Sequence, residues 1–152
     1  MDFAEFEEHL STARAKRAAL SSPEGGDVFE SRRASEAELS DAEVILGTSL
    51  PAEYKEFMQR YGGGMFLFLD LLPIAAHEGP DDDLLKVYER EFKYANFVPV
   101  APVGTGDWWG FLSAEGRCSP EVYFRDHEDG RFHLEADSFL EFMARKGLRL
   151  GK

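Results

Sequence analysis

The side chains best suited to holding a cation or moving a proton lie in one short run, Asp126-His127-Glu128-Asp129, with His133 close behind. Spacing argues against a shared ion. Successive side chains on a strand or tight turn point to opposite faces, whereas a transition-metal site needs three or four converging ligands. A solvated hairpin turn, its aspartate and histidine bonded to backbone, accounts for the run more simply. Asp81-Asp82-Asp83 lacks the alternating oxygen ligands and the closing bidentate glutamate of a calcium loop, and reads instead as the capped start of a short helix. Gly104-x-Gly106 precedes a strand, so it cannot set a pyrophosphate on a helix N-terminus, and is a turn. Cys118 has only Arg117 as an activating neighbour. Carboxylates are plentiful, yet no spacing isolates an acid–base pair for hydrolysis. These residues specify no catalytic centre, no cofactor and no metal, and the chain reads as a non-enzyme.

What remains is binding chemistry. Trp108 and Trp109 are adjacent, so on a strand one faces the core and the other faces out, where tryptophan is a frequent interface anchor. The net charge of −12 over 152 residues repels nucleic acid and anionic lipid, both of which demand a basic footprint. It attracts a basic partner and speeds the encounter. Cys118 is the single cysteine and forms no internal disulfide. No apolar run approaches the roughly 20 residues of a membrane span, and Met1–Glu5 lacks the basic start of a secretion signal. A cytoplasmic location is expected.

The positioning elements are legible from their ends. From Leu50-Pro51 to Tyr61, apolar residues Leu50, Tyr54, Phe57, Met58 and Tyr61 recur at helical spacing. Pro51 suits the first turn, Glu53 and Arg60 match the helix dipole, and Gly62 offers the left-handed exit. Met65–Leu69 then reads as a buried strand, and Leu71–Ile74 as an extended piece interrupted by Pro73. Upstream, Asp2–Leu20 forms a helix, and Ser21–Gly26 a turn or linker. Ser35 and Glu38 make a capping box for a helix closed by Gly47, which pairs with the Pro51 helix as an αα-hairpin. Downstream come a short helix with Leu84, Val87, Tyr88 and Phe92, and an edge-like strand Phe97–Val103 carrying prolines. Strands follow at Trp108–Leu112, Val122–Asp126 and Arg131–Glu135, with His127–Gly130 as the hairpin turn. A last helix is capped by Asp137 or Ser138. The order predicts an α+β fold in which an antiparallel sheet packs against helices. Residues 1–34 read as N-terminal helix and linker and residues 35–152 as the main body of one compact domain.

Several of these stretches together resemble the SUKH superfamily, also called the Smi/Knr-like family. Leu50-Pro51-x-Glu53-Tyr54-x-x-Phe57, ending in Tyr61-Gly62-Gly63-Gly64, is similar to its helix signature. Glu43-x-x-Leu46-Gly47 looks like the end of its preceding helix, and Val103-Gly104-x-Gly106-Asp107-Trp108-Trp109 is similar to its Gly-Asp-aromatic turn. Val122–Glu128 followed by Ser138-Phe139-x-x-Phe142 resembles its closing hairpin and helix. The proline-rich Phe97–Val103 strand departs from the family pattern.

The resemblance implies a fold without a common catalytic centre, and for many bacterial members an immunity role, binding and neutralising a toxin domain that is often a nuclease. Some eukaryotic relatives are implied to be regulatory or scaffold proteins, the alternative here. Combined with the charge, the expectation is a stoichiometric binder of a basic toxin domain. Asp81, Asp82, Asp83, Asp107, Glu128 and Asp129 would pair with its lysines and arginines, and Trp108 would anchor the contact. Neither nucleic acid nor membrane is an expected partner.

Overall fold

The computed structural model describes residues 1–20, 32–66, 69–75 and 82–149. The Ser21–Gly26 linker and Asp81 lie outside them. The chain begins with α1 (Phe3–Leu20), followed by α2 (Glu36–Leu46) and α3 (Ala52–Arg60). Next come β1 (Gly64–Phe66), β2 (Leu69–Leu71) and α4 (Leu84–Val87), which widens into a π turn at Tyr88–Phe92. Four longer strands and a short one make the sheet: β3 (Phe97–Pro102), β4 (Trp108–Ala114), β5 (Arg117–Cys118), β6 (Val122–Arg125) and β7 (Phe132–Ala136). The last element, α5 (Phe139–Phe142), also runs into a π turn, at Met143–Gly147.

Helix ends follow local chemistry. The Ser35 hydroxyl takes the Glu38 N–H, the Glu38 carboxylate takes the Ser35 N–H, and Gly47 closes α2 at φ 68°. Pro51 stands at the N-cap of α3, one position before the helix proper, and Gly62 beyond it has φ 87°. Ser138, rather than Asp137, caps α5 by accepting the Glu141 N–H.

Packing corrects two expectations. Met65–Leu69 is not one strand: β1 and β2 fold back on each other with Phe66 opposite Leu69. Nor do α2 and α3 close as a hairpin. The main contacts of α2 are with α4, and those of α3 are with α5. Glu53, in the first turn of α3, reaches across to accept the Leu140 N–H at 2.9 Å, so one carboxylate serves two helix starts.

The main sheet is antiparallel, ordered β3-β4-β6-β7, with β5 folded back on the far end of β4 through Glu115 and Gly116, both at positive φ. Such a pair of left-handed residues is the turn that matches strand twist. Helices cover both faces. On one, Tyr54 and Phe139 pack on Phe111. On the other, Phe92 packs on Phe97 and Trp108. β3 is the edge strand its prolines predict, but its first five residues are buried with no alternation. Gly110 makes this possible. Its missing side chain leaves room for the Phe97 ring and the Val98 carbonyl, both of which a Cβ would strike. From α1, Phe6 and Leu10 enter the same core, fully buried, with Phe6 against Phe57 and Phe66.

Candidate protein-binding site

Two loops meet at the end of the sheet where β4 and β7 begin and β6 ends. Asp107 clips them together. Its Oδ1 accepts the His127 backbone N–H at 2.8 Å and faces His127 Nδ1 at 2.6 Å. Its Oδ2 accepts the Thr105 hydroxyl at 2.6 Å. The Thr105 hydroxyl, then the His127 backbone N–H and ring, pull the Asp107 carboxyl down to about 2. Reciprocally, the hydrogen bond to Asp107 raises the His127 pKa above its ordinary value, with the charges of Asp107, Glu128 and Asp126 adding to it.

The four-residue turn His127–Gly130 is self-bonded. Asp126 Oδ1 takes the Glu128 N–H, Asp129 Oδ1 takes the Arg131 N–H, and Gly130, at φ 69°, donates to the Asp126 carbonyl. Its folding brings ligand atoms closer than strand alternation suggests. Asp107, Asp126 and His127 form one set within 4.8 Å, and Asp126, Asp129 and His133 another. Within both sets the carboxylates already accept turn N–H groups, so the bonding of the turn accounts for the convergence. Glu128, Asp129 and His127 remain exposed at the tip.

The other expected contact residues go elsewhere. Asp82 is exposed but held by both ends of the Arg90 guanidinium, at 3.0 and 3.3 Å, and that hydrogen bonding lowers its pKa. Asp83 is 3 % exposed, because it is the N-cap of α4 and accepts the Lys86 N–H. Trp108 is also withdrawn from the surface. The π turn after α4 covers its face of the sheet, and Phe92 meets its ring edge-on at 6.1 Å. Trp109 is covered too, half-buried against Phe142, with its Nε1–H donating to Glu135 at 2.9 Å and Lys146 Nζ 5.5 Å from the ring. The rule that one of two adjacent tryptophans faces solvent fails here because both faces of β4 carry a helix. Of the expected contact residues, Asp83 and Trp108 are thus buried. Asp107, Glu128 and Asp129 are brought together.

Sequence reasoning passed over the partners that make the motifs work. Glu43 accepts the Leu50 N–H at 2.7 Å and pairs with Lys55 at 3.3 Å, which ties the end of α2 to the start of α3. It also passed over Tyr123 and Leu134, which stand opposite each other across β6 and β7. The four-residue turn sets that register and was the available signal.

Cys118 lines an open groove of about 480 Å³ with Leu50, Pro51 and Arg117. Burial pushes its thiol up to about 11, the Thr48 contact at 3.8 Å opposing in part, which favours the protonated thiol at neutral pH.

Each stretch of familiar sequence thus does structural work, in the expected order along the chain. The SUKH_6 family model, described as SMI1-KNR4 cell-wall, matches residues 36–143, more than half of the chain. The chain belongs to this family. No match is found among curated proteins. The SUKH match begins at the first residue of α2 and ends in the π turn after α5, so it takes in the whole sheet and the Asp107 clip. Among the described residues, no helix is long and apolar enough to cross a membrane.

Proposed function

We propose that this SUKH protein is an immunity protein that works in the cytoplasm, binding a basic toxin domain, of nuclease type, and blocking it stoichiometrically. The observation that carries the reading is the pairing of family membership with an exposed acidic tip, Glu128 and Asp129 beside the Asp107–His127 clip. Negative charge displayed on a turn that is rigidified by its own hydrogen bonds costs little to order on binding. It steers a cationic partner to one end of the sheet, while contacts behind the tip set the residence time.

Co-expression with the toxin domain encoded beside the gene should protect the cell, and the two chains should co-elute in gel filtration. Failure to co-elute, with the toxin active, would rule the reading out. The family description's reference to the cell wall favours the second reading, a regulatory or scaffold protein of the same fold. A gene standing without a toxin neighbour points to that one.

A further inference from the structure

The outer hairpin β6–β7 is only partly roofed. Arg125 lies over the Phe92 ring at 5.1 Å and Phe132 meets Phe97 at 5.3 Å, so this opposed pair is on the α4 face of the sheet. Two residues along each strand, on the same face by the two-residue period, stand Tyr123 and Leu134, again directly opposed. There the cover ends. Leu134 is 56 % exposed, and Tyr123 and Phe132 are half-buried.

A single exposed leucine is ordinary, but a tyrosine, a leucine and a phenylalanine on one strand pair form an apolar patch. Its surroundings state what would cover it. Glu135 is turned to the opposite face, where it takes the Trp109 Nε1–H and pairs with Lys146. The other five carboxylates of residues 121–137 outnumber the two arginines, and the patch runs directly into the Asp126–Asp129 turn, where Glu128 and Asp129 are exposed. An apolar centre with an acidic rim fits a partner with the inverse arrangement. A second copy would set one acidic hairpin against another.

We infer that the α4-side face of β6–β7, centred on Tyr123, Phe132 and Leu134 and rimmed by the Asp126–Asp129 turn, is the surface that docks a basic protein domain. The identity of that domain as a toxin rests on the function proposed above; the choice of face does not.

The test uses the full chain, with the toxin domain encoded beside the gene as probe. Leu134→Glu and Tyr123→Ala should each weaken binding by about tenfold or more with thermal midpoints near wild type, as loss of a central apolar contact does. Val44→Glu, an equally apolar exposed site on α2 that is 82 % exposed, should bind as wild type. Hydrogen exchange of the unmodified complex should show new protection over residues 121–136, which keeps the test independent of any misfolded variant. If the wild-type complex forms but neither variant nor exchange changes, the face is wrong while neutralisation stands. If no wild-type complex forms, the toxin reading falls and the docked partner with it. Self-association abolished by Leu134→Glu, without toxin binding, would overturn the proposal in favour of a second copy.

Discussion

Tyr54 sits in the core with its ring edge-on to Phe111 and Phe139, and its hydroxyl finds no hydrogen-bond partner among the described residues. Burial drives its pKa far above the ordinary phenol value. A desolvated and unpaired hydroxyl costs free energy, so Tyr54→Phe should leave stability unchanged or raise it by about 1 kcal/mol in urea unfolding. A clear loss would reveal a buried water at that position. At the surface, the Asp107–His127 clip has a defined pH window. The raised histidine stabilises fully below its unfolded value of 6.5 and loses its effect as pH climbs through the folded value. The depressed aspartate stabilises above its unfolded value of 3.8 and loses its effect as pH falls towards about 2. The clip is therefore strongest between those two unfolded values. Proton NMR titration should place His127 above 6.5, and Asp107→Asn should bring it back down. An unchanged histidine would mean the loops are held by other contacts.

At the scale of elements, what was legible is what is encoded locally. The Ser35–Glu38 box, Gly47 and Gly62 each mark a helix end through their own backbone chemistry, and each sits where its residue type requires. The β1–β2 reversal was hidden because Leu67-Phe68, between the two strands, carries no turn residue. The π turns at Tyr88–Phe92 and Met143–Gly147 keep helical spacing of apolar residues, so periodicity could not separate them from α-helix. The candidate site was legible in its charges but not in its geometry. Asp83 and Trp108 are removed by cap formation and by a second helical layer, and that layer is a tertiary fact that alternation cannot report. Gly110 is the element-scale dependence that matters most. Gly110→Ala would drive a methyl into the Val98 carbonyl and the Phe97 ring, separating β3 from β4. A loss of more than about 3 kcal/mol, or failure to fold, is expected by thermal melting monitored with circular dichroism. Wild-type stability would mean that β3 shifts freely.

For the whole molecule, the net charge of −12 acts over the range that salt allows, about 8 Å at physiological ionic strength. Glu128 projects from the self-bonded turn, whereas the Asp129 carboxylate accepts the Arg131 N–H within it, so reversal of Glu128 should act on encounter rather than on folding. Glu128→Lys should slow association with the proposed toxin domain and flatten its salt dependence, leaving the dissociation rate nearly unchanged. Stopped-flow traces across a salt series would check this. Rates indifferent to the reversal and to salt would mean that the acidity serves solubility alone.

Trp108 and Trp109, neighbours in sequence, report on different halves of the protein. One indole is enclosed by the aromatic layer beneath α4, and the other is hydrogen-bonded to Glu135 beside a lysine under α5. Their emission should differ in wavelength, and each single-tryptophan variant would light up the detachment of one helical layer alone. If the two signals vanish at the same denaturant concentration, the double-sided sheet melts as one cooperative unit. If they separate, the layer that frays first is named by the colour that is lost.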